Sequence, residues 1–237
     1  MNTKCIIANP ACDGLGQIII DGDVYDFCSC ADIHKAYELY KQSGAELSHM
    51  LFPSQLSHNP IMQTQAAKSI RLLELLEIHT RELKHMIDHR WHLIFISDTG
   101  FGKTQYVSTL LLMAAYRKYK SVFIDLRKIR DWLKDKNVKP LIEAQIAESD
   151  IIVLDDLGVE NYEDFEYMSV MNKLDSIIRT HKGLLMVTSN YKIADMKKAY
   201  PNARITNALL KGDSKIYAFM EGNLRQSKSD PRIDLIP

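Results

Sequence analysis

Residues 97–104 read SDTGFGKT, directly after the apolar run Leu93-Ile94-Phe95-Ile96. A phosphate-binding loop ends in Gly-Lys-Thr, and the G-x-x-x-x-G-K-[ST] pattern is informative only between a strand and a helix. Both neighbours are present here, because the helical run KTQYVSTLLLMAAYRKY starts at Lys103. In such a loop the backbone N–H groups of Gly100, Phe101, Gly102, Lys103 and Thr104, with the helix N-terminus behind them, form an anion cradle. Lys103 is placed to reach the β- and γ-phosphates, and the Thr104 hydroxyl to ligate Mg²⁺. The chain departs from the pattern at its first position, Ser97 in place of glycine. Glycine supplies freedom to turn there and no side-chain ligand, so a small residue is expected to be tolerated at some backbone cost.

Working outward, near-continuous apolar runs at Leu93–Ile96, Ser121–Asp125, Ile151–Leu154 and Leu184–Thr188 read as strands of a parallel sheet covered on both faces. They alternate with helical patterns over roughly 103–118, 127–148 and 163–181, which predicts a three-layer α/β fold. The run IIVLDDLG delivers Asp155 and Asp156 to the C-terminal end of its strand, where α/β proteins bind ligands. Behind Gly-Lys-Thr, the first carboxylate suits Mg²⁺ and the second suits orienting or deprotonating an attacking water. Two adjacent acids also serve as a plain turn signal. LLMVTSN brings Thr188, Ser189 and Asn190 to a third strand end; the Asn190 amide is suited to hold a lytic water, or simply to cap the strand.

The front of the chain has a different character. All four cysteines, Cys5, Cys12, Cys28 and Cys30, lie within its first 30 residues. Turn signals at Asp13-Gly14 and Asp21-Gly22 flank apolar strands at Ile18–Ile20 and Val24–Phe27, the outline of a small zinc-ribbon-like hairpin. Four thiolates gathered by such a hairpin suit tetrahedral Zn²⁺ in a reducing compartment. Unligated thiols are the other reading, and His34 is a possible replacement ligand. A helix is expected from Asp32 to about Leu47, then a loop-rich passage, then a long helix from about Met62 to Asp88. The expected organisation is a Cys-rich module over 1–50, a helical linker over 51–90 and a nucleotide domain over 91–237.

Composition excludes little. Net charge is zero, with the part up to Arg90 slightly acidic and the rest slightly basic, so charge alone does not call for nucleic acid. With 46% hydrophobic residues and no apolar run of the roughly 18 residues a membrane span needs, no membrane association is expected. The start of the sequence lacks a signal-peptide pattern, which points to the cytoplasm.

In order, SDTGFGKT, SVFIDLRKIRDWL, SDIIVLDDLGVE and GLLMVTSNY resemble the AAA+ ATPases of the bacterial helicase-loader group, DnaC and DnaI, and their relative, the transposition helper IstB. The likeness runs from about Trp91 to Arg225, and the CDGLG…CSC frame resembles the front end of phage-encoded loaders. The resemblance implies an ATP-dependent protein that binds a hexameric replicative helicase through its N-terminal part, self-associates with ATP, and contacts single-stranded DNA. It also implies an arginine acting on the neighbouring subunit's ATP site, and here the family alignment puts Ala208 at that position. Arg204, one turn earlier, is the substitute, while Arg225 in FMEGNLRQ is the candidate for the same subunit's phosphates. Without an effective Arg204, slow hydrolysis is expected and the chain acts as an ATP-binding switch. Arg127, Lys128, Arg130, Lys197 and Lys198 are candidate phosphate contacts or merely a solvated basic face. The competing functions are an IstB-like transposition helper, a non-hydrolysing ATP-binding adaptor, and a small-molecule kinase, for which no arginine-rich lid segment is evident.

Overall fold

The computed structural model describes residues 17–20, 23–28, 30–49, 66–98, 102–159, 164–200, 203–219 and 233–236. At the front, strands β1 (Gln17–Ile20) and β2 (Asp23–Phe27) pair antiparallel, as the hairpin pattern predicts. Helix α1 (Cys30–Gln42) follows, and α2 (Ala66–Asp88) leads into the main sheet. That sheet holds β3 (His92–Ile96), β4 (Ser121–Asp125), β5 (Ile151–Leu157), β6 (Leu184–Ser189), β7 (Ser214–Phe219) and β8 (Ile233–Ile236). Its order is β4-β5-β6-β3-β7-β8, with every neighbour parallel. Because β6 lies between β3 and β5, the loop after β3, the acids of β5 and the polar end of β6 emerge side by side.

Burial explains the sequence pattern. Strands β5 and β6 are buried at nearly every position, while the edge strand β4 alternates. Helix α3 (Lys103–Tyr116) is buried at most of its residues and shows little amphipathic pattern. The reason is that it is sandwiched: Phe95 and Val153 of the sheet lie on one side, and Tyr40 of α1 with Leu83 and Met86 of α2 complete the same cluster on the other. The opposite face is covered by α4 (Ile129–Lys134), α6 (Asp164–Thr180), α7 (Ile193–Ala199) and α8 (Arg204–Leu209), through Trp132, Leu174, Met196 and Leu209. The architecture is therefore three-layered.

Helices α1 and α2 are integral to the first of these cores. Each buried Tyr, Leu or Met contributes about 1.5–3 kcal/mol. Stripping several from α3 would approach the whole stability of an ordinary domain, about 5–15 kcal/mol. Residues of α1, α2 and α3 thus share one hydrophobic cluster. Ser43 adds a further tie, its carbonyl accepting the outward Phe123 N–H of the edge strand at 2.7 Å.

Two helices end differently from expectation. Helix α1 stops at Gln42 rather than near Leu47, because the chain turns at Gly44, whose φ of +85° an L side chain rarely adopts. The helix expected over 127–148 is divided into a 3-10 turn (Leu126–Lys128), α4, and α5 (Val138–Glu148). The Asp135 carboxylate accepts the N–H groups of Asn137 and Val138, restarting the helix, and Pro140 in the first turn of α5 could not have continued one.

Candidate functional site

Lys103 opens α3 just after Gly102, which caps the helix with φ +78° and accepts the Tyr106 N–H on its carbonyl. Its ammonium is nearly enclosed, with 5% of the residue exposed. It donates to the Ser97 carbonyl at 3.0 Å, the Ser97 Oγ at 2.9 Å, the Asp98 carbonyl at 3.0 Å and Asn190 Oδ1 at 2.9 Å. Burial lowers the pKa of Lys103, against the pull of Asp156, Asp155 and Asp98. A cation held among neutral oxygens at the mouth of a parallel sheet is suited to a polyanion.

Beside it, the Thr104 hydroxyl donates to Asp155 at 3.0 Å, and Thr188 donates to the same carboxylate at 2.7 Å. Burial raises the pKa of Asp155, with the Asp156 charge adding to it and the two hydroxyls opposing it. Thr104 and Asp155 are hard oxygen donors brought together at a helix start and a strand end. They fit Mg²⁺: Thr104 and Asp155 would hold the ion, whose charge would offset that of a phosphate.

Asp156 has a geometry that its sequence neighbours do not reveal. The pairing of β5 with β6 shifts register between Leu154 and Leu157, and Asp156 adopts φ +62°. Its N–H is bound by Thr188 Oγ1 at 2.9 Å. Such a bulge turns a side chain away from the strand's alternation, and left-handed backbone at a non-glycine residue marks a held position. The result is two consecutive acids with distinct surroundings: Asp155 buried on Thr104 and Thr188, Asp156 more open and 3.6 Å from the Arg127 guanidinium.

The remaining candidates divide. Arg127 is clamped by Asp125 through two contacts of 2.8 and 2.9 Å, and Lys128 lies 3.4 Å from the same acid, so both face the acid cluster rather than open solvent alone. Burial tends to raise the Asp125 pKa, but Arg127 outweighs it and the net shift is downward. Arg204 is not gathered with Lys103 and Asp155; its guanidinium reaches α6, donating to Asn172 at 3.1 Å and to Asp175 at 2.7 Å. Lys197 and Lys198 end α7, with Lys198 3.9 Å from Asp195. Cys28 and Cys30 are buried, at the end of β2 and the start of α1. Gly100, Phe101, Arg225, Cys5 and Cys12 lie outside the described residues.

Three contributors lacked a sequence assignment. Thr188 binds both consecutive acids; its signal is a hydroxyl interrupting the apolar run LLMV one residue before the strand ends. Asp125 closes SVFID at the matching register position to Asp155 and neutralises Arg127. Ser97 contributes its hydroxyl to Lys103, which a motif reading based on glycine does not anticipate.

Comparison with known proteins bears on the fold and the family. DnaI aligns with a TM-score of 0.55 and 18% identity, covering 75% of this chain and 92% of that one. The DnaC helicase loader aligns with a TM-score of 0.51 and 16% identity, covering 65% and 91%. At such identities the likeness shows the fold, which is that of the AAA+ group. No curated protein matches the sequence. The family profile of the IstB-like ATP binding proteins matches residues 56–213, from the approach to α2 through the end of α8. That match takes in Lys103, Thr104, Asp155, Asp156 and Asn190 and spans more than half of the sequence, so the chain belongs to the IstB-like ATP binding protein family.

Proposed function

We propose that the protein is an ATP-hydrolysing helicase loader, which binds a replicative hexameric DNA helicase through its N-terminal part and assists its placement on single-stranded DNA. The observation that carries the reading is the convergence of Lys103, Thr104, Asp155, Asp156 and Asn190 at three adjacent strand ends, on the fold shared with DnaC and DnaI. In this reading Lys103 and the loop around Gly100, Phe101 and Gly102 hold the phosphates, Thr104 and Asp155 hold Mg²⁺, Asp156 activates water, and Asn190 senses the γ-phosphate. Arg225 contacts phosphates of its own subunit. Arg204 serves a neighbouring site only by giving up Asp175, so hydrolysis is slow until subunits assemble. A transposition helper is the second reading, favoured by the name of the matching family profile.

Full-length protein is expected to co-elute with the cognate replicative helicase, and ATP to change the size of the assembly by favouring contacts between ATPase domains. Single-stranded DNA should join it with an affinity that falls as salt rises. Absence of association with the helicase, with or without ATP, defeats the loader reading, and association with a transposase instead selects the second.

For the front module, Cys5, Cys12, Cys28 and Cys30 are proposed to hold Zn²⁺. Among the described residues no three metal-binding side chains converge, so the set needs Cys5 and Cys12. His34 Nε2, one turn after Cys30 on α1, is buried without a hydrogen-bond partner among the described residues and is the alternative ligand. Near-stoichiometric zinc is expected in protein purified without chelator, because ligand binding at such a site is folding energy for its module. Metal-free protein with reactive thiols would exclude the site.

A further inference from the structure

We propose that Thr188 and Ser189, at the end of β6, are positioning residues for Asp156: their hydroxyls take over where the pairing of β5 with β6 slips, and hold the backbone around Asp156 from both sides. This rests on the reading of the cluster as a nucleotide site in which Asp156 activates water.

In a regular strand consecutive side chains point to opposite faces. Asp155 and Asp156 would then be divided between the two faces of the sheet. Instead both carboxylates pull on the Lys103 ammonium, and Asp156 lies 3.6 Å from Arg127. Residue 156 breaks the alternation by adopting φ +62°, within the stretch from Leu154 to Leu157 where the register shifts. Left-handed backbone at a residue other than glycine persists only where its surroundings fix it.

Two hydroxyls supply that fixing, both on residues with 0% exposure. Thr188 Oγ1 accepts the Asp156 N–H at 2.9 Å and gives its own proton to Asp155 at 2.7 Å. A hydroxyl has one proton and two lone pairs, so the two bonds do not compete. Beyond Asp156, the Ser189 hydroxyl donates to the Leu157 carbonyl at 2.5 Å and accepts the Tyr191 N–H at 3.0 Å. The Tyr191 ring lies against the next residue, where a Cβ at Gly158 would come within 2.5 Å of its Cδ2. Asp156 is therefore tied at its own N–H and at the following carbonyl, to consecutive residues of one strand. Lys103 bonds to Ser97, Asp98 and Asn190 and to neither hydroxyl, so the clamp bears on where the acid sits and not on how phosphate is held.

The test uses the full chain with Thr188→Val, Thr188→Ser and Ser189→Ala, reading ATP affinity by calorimetry and turnover by phosphate release. Thr188→Val keeps the shape of the side chain and removes the hydroxyl. Its kcat should fall about 10- to 100-fold, the cost of a group misplaced by about 1 Å, while ATP affinity stays within about twofold. Thr188→Ser retains the hydroxyl and should recover kcat to within about threefold of the natural chain. Ser189→Ala, which removes no bond to either carboxylate, should lose about three- to tenfold in kcat, the effect of one net hydrogen bond. Adding Thr188→Val to Asp156→Asn should slow turnover no further, because the threonine acts through a carboxylate that is already gone. Unchanged kcat in Thr188→Val or Ser189→Ala, or a Thr188→Ser variant as slow as Thr188→Val, overturns the proposal. So does a further loss of about tenfold in the double variant, which would assign Thr188 to Asp155 and the metal. A fall in ATP affinity as large as the fall in kcat would mark a general loss of structure and overturns it too. Failure of the nucleotide reading has a different signature: the natural chain itself neither binds nor hydrolyses ATP, and the proposal falls with it.

Discussion

Lys103→Ala is expected to lose ATP affinity by about two orders of magnitude or more, while Asp156→Asn keeps its ATP and loses turnover by about 10²- to 10⁴-fold. The first figure follows from removing one partner of an enclosed charge pair, which costs about 2–5 kcal/mol. The lysine's present partners are neutral oxygens, so its loss leaves a phosphate without its cation and little else disturbed. Thermal unfolding should shift by only a few degrees. The second figure is the usual contribution of a positioned general base. Asparagine is the informative substitution at position 156, because it tolerates the left-handed backbone with φ +62° that most side chains resist. Titration with ATP and a phosphate-release assay on both variants separate the two roles. Unchanged ATP affinity in Lys103→Ala would remove the site, and full hydrolysis in Asp156→Asn would remove the water-activating role.

Much of this site was readable in the chain because its chemistry is local. SDTGFGKT, IIVLDDLG and LLMVTSN each carry a polar terminus on an apolar strand, and strand ends in a parallel sheet meet at one edge. Those three segments become neighbours through the order β5-β6-β3, which strand alternation alone does not specify. What escaped reading depends on contacts between distant residues. The bulge at Asp156 arises from a register shift against β6, and nothing in the pair Asp-Asp encodes it. Nor does the basic stretch after β4 disclose that Arg127, gripping Asp125, also lies 3.6 Å from Asp156 on the next strand. Helix α3 shows no amphipathic stripe because helices from the front of the chain cover its outer side.

The same coverage buries a histidine, and its protonation is expected to cost the fold about 3 kcal/mol between pH 7 and pH 4. His79 of α2 is 2% exposed, with Nδ1 2.9 Å from the Tyr106 hydroxyl of α3 and Nε2 2.9 Å from the Tyr217 hydroxyl of β7. A neutral imidazole has one N–H and one lone pair, so it donates to one phenol and accepts from the other. A second proton would make both nitrogens donors, leaving one phenol O–H without its acceptor inside a cluster of Phe95, Tyr106 and Tyr217 rings. Burial pushes the His79 pKa down to about 4 from the ordinary 6.5. In the window between these values the unfolded chain binds the proton and the folded chain does not. Stability is therefore complete above about pH 6.5 and declines as the pH falls toward 4, at about 1.4 kcal/mol per pH unit. His92 and His181, both shifted down chiefly by burial, act with the same sign. Carboxylates titrate nearby, so the comparison that isolates the ring is denaturant unfolding at pH 7 and pH 4.5 for the natural chain and for His79→Gln, which has no proton to take up. The variant should be less stable at pH 7 but lose distinctly less on acidification, and an equal loss in both proteins would show that the buried ring is not the group responsible.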